Sequence, residues 1–512
     1  MHLNNQKSPI SKILLFILAI AAVGSMFACH RDSDNPPGTE SSSSKEEAES
    51  TASQEEDEKT LYRPEQKNYD YDYQIVVSRN QEFFAYTDGE SEDAVNVALF
   101  NRASFMEEQY GVTLHVTLDE NLKNTLIQNS IAGLDFADVV LMVASEQMQF
   151  GVVNGYLKDL STAEKLNLNA SYWNQRIQQE YSINGSFYML DGDFSIVDEL
   201  RTMTVLYNAD LYQTALSETY GDLYSLVSSN QWTYSRLMEM VADASRDLDG
   251  TEGLGLNDIY GLYSENAGPY VFFIGSGLKV AESVDGEIKL LFSENYQNIY
   301  NVLEDTMKLS LNENTLIVDA ANSGIDWAQA NKQFAGDHVV FRSTTLSSAM
   351  SYREMQSRFG ILPIPMYTEG QDGYYSLVSA TSSLPLAVPM TAKSHMDETL
   401  EITEIFCYYS RYANSDVPTL YNAFFDNLVY AGLCRTAQDH DMLEIIFASQ
   451  TYDLDMAANL TGVYNVTYHL ALNASSNGLT TLSSSIQGLK DSSNVALTEF
   501  LSQWASNKSK TQ

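Results

Sequence analysis

From Tyr73 to Val143 the chain alternates two kinds of apolar pattern: YQIVVS (73–78), SEDAVNVALFNRASFMEEQYG (91–111), VTLHV (112–116), NLKNTLIQNSIAG (121–133) and ADVVLMV (137–143). In the second stretch Val95, Leu99, Ala103 and Met106 recur at three- and four-residue spacing, which lines one face of a helix, and Gly111 stands where a left-handed C-terminal cap belongs. VTLHV alternates with the two-residue period of a strand, NLKNTLIQNSIAG repeats the helix-then-glycine pattern, and 137–143 is a short buried run. The order is βαβαβ. Strands separated by helices of this length pair in parallel, with the crossovers lying on the sheet faces. Ligands of such open sheets sit beyond the carboxyl ends of the strands. That rule points to Ser78-Arg79-Asn80 and Ala144-Ser145-Glu146.

A second α/β pattern follows INGSFYMLDGDFSIVDELRTMTVLYNADL (183–211): a helix in WTYSRLMEMVADASRDLDG (232–250), a strand at IYGLY (259–263) and a helix near YQNIYNVLEDTMKL (296–309). FAGDHVVFR (334–342) and FGILPIP (359–365) are short strands. The last third is helical, as in ITEIFCYYSRY (402–412) and LTEFLSQWA (497–505). No internal repeat of fixed period is present, which argues against a solenoid or propeller.

At the amino end, Lys7 and Lys12 precede ILLFILAIAAVGSMFA (13–28), an uncharged apolar run that ends at Cys29. A positive start, an apolar core and small residues near the exit describe an export signal over residues 1–28, with a retained anchor as the alternative. Residues 29–68 are rich in Ser, Glu and Asp and nearly free of large apolar side chains. Such a segment cannot offset its ordering entropy, so it reads as an extended tether ahead of a folded part that starts near Tyr69. SMFAC (25–29) resembles the lipobox of bacterial lipoproteins, although Met26-Phe27 departs from the usual leucine plus small residue. The resemblance implies that Cys29 becomes an acylated N-terminus and that the protein sits on the extracellular face of the cell membrane.

The formal net charge of −39 argues against nucleic acid and anionic lipid as partners, because both require basic patches. With 44% hydrophobic residues the folded part can fill two cores, and its length suits two lobes rather than one. Cys407 and Cys434 read as separately placed apolar thiols more readily than as a pair, and no Cys/His cluster of zinc spacing occurs. There is no GxSxG, HExxH or P-loop, and seven His leave little for acid–base chemistry. Asp191, Asp193, Asp198 and Glu199 cluster over one short segment, which keeps a glycoside hydrolase open as an alternative but fits a hinge equally well.

RASFMEEQYGVTLHV (102–116), ADVVLMVASEQMQFGVVNGYLKDLS (137–161), INGSFYMLDGDFS (183–195), TVLYNADL (204–211), WTYSRLMEMV (232–241), DIYGL (258–262), QFAGDHVVF (333–341) and FGILPIPMY (359–367) stand in an order and spacing that resemble the extracellular solute-binding proteins of ABC importers. The resemblance is to the carbohydrate-binding type, and is closest to lipoprotein versions from Firmicutes. It implies a periplasmic-binding-protein-like α/β fold, with two lobes, a ligand cleft and several hinge crossings. The first lobe would hold residues 69–199 and a return at 333–382, and the second would hold 200–332 and 383–512. Hinge crossings would fall near Val197–Thr204 and Ser379–Val388. The implied function is capture of a solute, an oligosaccharide above all, for delivery to permease subunits with a separate ATPase, by a monomer without enzymatic activity or cofactor. A surface receptor or adhesin, or a peptide-binding lipoprotein on the same frame, is the alternative.

Sugar recognition needs planar side chains against ring faces and polar groups on hydroxyls. The strand-end rule gives Arg79, Ser145 and Glu146 as polar candidates, with solvated loops as the plainer reading. The family layout adds Asp193 and Arg342, which could instead be spent on a salt bridge to each other. Tyr263, Trp327 and Tyr375 are the stacking candidates, although Trp327, seven residues before Phe334 and so on one helical face with it, reads equally as a core residue; Trp232 and Trp173 read as packing residues. DLDGTEGLGLND (247–258) echoes a calcium loop of EF-hand type through Asp247, Asp249, Thr251 and Asp258. Thr251 at the fifth position and Glu252 in place of the turn glycine weaken the match, and a polar loop is the better reading. The family resemblance implies a decayed Ca2+ site here.

Overall fold

Three parallel strands form where the βαβαβ pattern places them: β1 (Tyr71–Val77) lies between β2 (Val112–Leu118) and β3 (Val139–Leu141). The computed structural model describes residues 63–79, 93–318, 325–412, 418–473 and 478–511. The export signal, Cys29, the tether as far as Tyr62, and Asn80 lie outside these residues. Helix α1 (Ala94–Tyr110) starts at Asp93, whose carboxylate accepts from the Val95 and Asn96 N–H groups. It ends at Gly111, where φ is 63° and the N–H closes on the Glu107 carbonyl. A left-handed residue here costs glycine nothing. Helix α2 (Leu122–Ala132) connects β2 to β3. The sheet gains a fourth, antiparallel strand from far along the chain, β12 (Leu386–Ala387), beside β3. The folded unit begins slightly earlier than Tyr69: Lys67 pairs with Glu401 at 3.0 Å, and the Tyr69 hydroxyl donates to the same carboxylate.

The second sheet has the order β10-β4-β9-β5-β8, made of Phe359–Leu362, Met203–Asn208, Val339–Thr345, Tyr260–Ser264 and Thr315–Ile317. β5 runs parallel to β8 and β9, while β4 runs antiparallel to β9 and β10. A separate hairpin pairs β6 (Ala281–Val284) with β7 (Glu287–Leu290). This arrangement corrects the expected return of 333–382 to the first lobe. β9 is buried along nearly its whole length and needs a partner on each edge, and it finds them in β4 and β5. The expectation that 383–512 belongs to the second lobe is corrected in part. β12 joins the first sheet and helix α7 (Met396–Arg411) packs on α1, whereas α8 (Ala437–Ala448) packs on β10.

Helix α3 (Tyr234–Ala244) lies across β5, α4 (Gly268–Gly275) is buried throughout, and α5 (Tyr296–Ser310) packs against α4. Further helices are α6 (Trp327–Ala335), α9 (Val463–Leu472) and the long α10 (Gly478–Thr511). No helix among the described residues is long and apolar enough to cross a membrane. Cys407 is buried and Cys434 half-buried, and the two are not bonded. Gly261 sits where α3 meets β5, and a Cβ there would fall on the Val241 carbonyl. Gly261→Ala must therefore push helix from sheet, an overpacking that costs about 1–3 kcal/mol. Chemical denaturation should show a lower midpoint with an unchanged slope.

The connections between the sheets run side by side. Thr202 bridges Val378, the Ser379 N–H donates to the Arg201 carbonyl, and β11 (Ser376–Leu377) pairs with β13 (Gln450–Thr451). Asp198 reaches across, its carboxylate accepting from the Leu384 N–H at 2.8 Å.

Candidate functional site

The carboxyl ends of β5 and β9 open into a cleft of about 350 Å³ beside these connections. This is where the parallel-strand rule places a ligand. Glu265, Asn266 and Ala267 follow β5, and Thr345, Ser347 and Ser348 follow β9. Arg201 and Met203 come from one connection, and Ser379, Thr381 and Ser382 from another. Trp327, the first residue of α6, closes one side and is 49% exposed. Tyr464 and Tyr468, one turn apart on α9 with ring centroids 5.9 Å apart, close another.

The hydroxyls form a bonded rim. Thr344 donates to Glu265 at 2.8 Å and bonds Ser348 at 2.8 Å, and Thr345 bonds Ser347 at 2.9 Å. Arg201 donates from Nη1 to Ser347 at 2.9 Å. Asn266 is buried with its Oδ1 unpartnered among the described residues, a side chain equipped to accept one more hydrogen bond. Burial raises the Glu265 carboxyl above its usual range, and the Arg342 charge behind it acts in the opposite sense. Aromatic faces, amide and hydroxyl groups and one cation thus converge on a solvent-accessible space.

Of the residues singled out from the sequence, Trp327 lines this cleft. Arg79, exposed at the end of β1, is near enough for its charge to disfavour protonation of Arg201. The Ser145 N–H donates to the Ala380 carbonyl at 2.9 Å, one residue from the cleft wall, while Glu146 faces Lys123 at 3.8 Å. Arg342 and Tyr263 lie one layer beneath. Arg342 is 1% exposed, sits 4.8 Å over the Tyr263 ring and donates to Asn331 at 2.7 Å. Its reach toward the cleft is electrostatic, through Glu265. Tyr375 packs on Gly277 and donates to Asp372.

Asp193 lies in a different cavity, lined also by Tyr172, Asn174, Arg176, Glu199 and Arg411, and is ion-paired with Arg411. Burial lifts its carboxyl to about 7 despite that pair. Asp191 rises to about 6 by burial while accepting from Tyr452 at 2.6 Å and Asn174 at 3.0 Å. Asp198 and Glu199 are raised further by burial and by the neighbouring Asp191 charge. Asp191, Asp193 and Asp198 thus tie this segment to Tyr452, Arg411 and Leu384.

In the 247–258 loop, carboxylate oxygens of Asp247, Asp249 and Asp258 come within 4.8 Å of one another. Both Asp258 oxygens already accept backbone N–H groups, from Leu248 and Gly255, and the Thr251 hydroxyl donates to Asp249. The loop closes on its own bonds, a poor fit to a calcium ion that needs those oxygens. Trp232 and Trp173 are packing residues, with their indole N–H groups on the Pro363 carbonyl and Glu404.

Glu265 and Asn266 could have been found in the sequence, since they directly follow IYGLYS and the strand-end rule covers them. Arg201 carries no such signal, because it stands ahead of β4 rather than beyond the carboxyl end of a strand. Tyr464 and Tyr468 carry no local signal, because their approach depends on how α9 folds back.

No family model matches the chain, and no curated protein matches it. Solved structures do. M. tuberculosis UspC is 16% identical with a TM-score of 0.53, over 82% of this chain and 100% of that one. T. maritima MalE3 bound to maltose is 13% identical with a TM-score of 0.52, over 83% and 99%. An ABC substrate-binding protein of Listeria monocytogenes in complex with cycloalternan is 13% identical with a TM-score of 0.52, over 82% and 98%. With its two mixed sheets, their flanking helices and the adjacent connections between them, the chain has the periplasmic-binding-protein-like α/β fold.

Proposed function

We propose that the protein captures a saccharide in the cleft between Trp327, Glu265 and Tyr464 and presents it, unaltered, to an ABC permease. One observation carries this reading. The cleft sets a half-exposed indole and two tyrosines around hydroxyl, amide and carboxylate groups, the combination that a sugar's apolar faces and hydroxyls require. The maltose and cycloalternan held by neighbours of the same fold support a saccharide over a peptide. Cys29 is the acylated N-terminus in this account, and the acidic segment after it carries a monomeric binding unit clear of the membrane. Permease and ATPase subunits are separate chains. Because the cleft borders the connections between the two halves, a ligand that touches both gains contacts on closure and shifts the population toward the closed form.

Thermal-shift screening against a glycan panel tests the proposal, since a ligand that binds only the folded state raises the melting point by mass action. Stabilisation by oligosaccharides is expected. Stabilisation by peptides alone would favour a peptide receptor, and release of reducing ends would favour a hydrolase. Trp327→Ala should weaken saccharide binding by about tenfold or more. Since the side chain is half exposed, folding stability should stay within about 0.5 kcal/mol of the parent. Calorimetric titration and a melting curve on the same preparation separate the two effects.

A further inference from the structure

We infer that the saccharide is anionic, carrying a carboxylate or sulfate that Arg201 receives. This rests on the saccharide reading of the cleft and deepens it.

Arg201 and Glu265 are the charged side chains lining the cleft. Glu265 is balanced within the protein: Thr344 donates to it and the buried Arg342 charge lies behind it. Arg201 has no carboxylate bonded to it among the described residues. Arg411 pairs with Asp193 and Arg358 with Asp210, whereas Arg201, on the cleft wall, enters none of the ion pairs among the described residues. Its bond to Ser347 is to a neutral hydroxyl, and its Nε, screened from solvent, has no hydrogen-bond partner among the described residues.

Asp198 acts on Arg201 through its charge, which favours the protonated guanidinium, and not through a bonded ion pair. Asp198 is 1% exposed, has one oxygen on the Leu384 N–H and is pushed well above the usual carboxylate range, by burial first and then by the Asp191 charge. Arg79 adds a second positive charge from the end of β1, which makes an unneutralised Arg201 less favourable still. An oxyanion entering the cleft relieves this repulsion and meets a guanidinium built to bond two oxygens at once. The surrounding hydroxyls of Ser347, Ser348, Ser379, Thr381 and Ser382 are donors to the same oxygens.

The net charge of −39 sharpens the inference, because a molecule this acidic repels anions at long range. An arginine on the wall of a saccharide cleft, with the charge of Arg79 near it, is then a selective feature rather than part of a general basic surface.

Calorimetry with three probes of similar size tests this: maltotriose (neutral), trigalacturonate (carboxylate) and neocarrabiose sulfate (sulfate on a neutral backbone). One or both anionic probes should bind about ten- to a hundredfold tighter than maltotriose, the worth of a charged hydrogen-bonded contact. Which of the two binds identifies the oxyanion. Arg201→Gln should collapse the ratio of anionic to neutral affinity toward one. Arg79→Gln, at an exposed position that cannot disturb packing, should lower the same ratio by a smaller factor and make it less sensitive to salt. Maltotriose binding as tightly as both anions, or a ratio unchanged in both variants, would overturn the anionic assignment while leaving saccharide capture standing. Failure of every probe to bind would overturn both.

Discussion

Raising the pH from about 5 to about 8 is expected to lower the melting temperature of the folded unit. Burial lifts the carboxyls of Asp193 and Asp455 to about 7 and that of Asp191 to about 6, against about 4 in an unfolded chain. A carboxyl raised by folding contributes stability that is fully present below its unfolded value and is lost as pH rises through its folded value. The window here is about pH 4 to 7, with a slope near 1.4 kcal/mol per pH unit for each carboxyl that holds its proton. Asp455 is the plainest case: it accepts from the Thr461 N–H and hydroxyl, and the neighbouring Asp453 disfavours a second charge. Glu401 runs the other way. Despite partial burial, Lys165, Lys67 and Tyr69 hold it down to about 2, so its contribution is lost only as pH falls below about 4 and is constant across the window tested. Calorimetric scans at a series of pH values should therefore give the highest midpoint on the weakly acidic side. A midpoint that climbs steadily to pH 8 would contradict the buried-carboxyl account.

Trp232→Ala should cost about 3–5 kcal/mol. The indole is fully buried beneath the second sheet, 6.0 Å from the Phe341 ring of β9, and its N–H satisfies the Pro363 carbonyl at 2.9 Å. Truncation leaves a cavity and an unpaired acceptor together, and the segment after β10 loses its tie to the start of α3. Urea unfolding should show a lower midpoint. If a stable preparation still binds saccharide at high concentration, the loss lies in folding rather than in the cleft.

The parallel βαβαβ unit was legible because its helix faces, capping glycine and strand alternation are all local. The fate of FAGDHVVFR was not. Whether Val339–Thr345 joins the first sheet or the second depends on β4 and β5, which no pattern inside the segment records. Asp193 and Arg342 read as polar residues near strand ends, but what each touches is decided at a distance. Asp193 meets Arg411, and Arg342 sinks between Tyr263 and Tyr352 to act through Glu265. Trp327 reaches the cleft because Asp326 caps α6 immediately before it and leaves the ring on the first exposed turn. Arg201 gained meaning only when its missing partner could be seen.

A crystal structure with a bound oligosaccharide tests the central claim most directly. The account predicts the saccharide between Trp327, Glu265 and Tyr464, one ring face on the indole and oxygen atoms within hydrogen-bond distance of Arg201 and Asn266. A saccharide seated instead in the cavity of Asp193 and Arg411, with the Trp327 cleft empty, would contradict it.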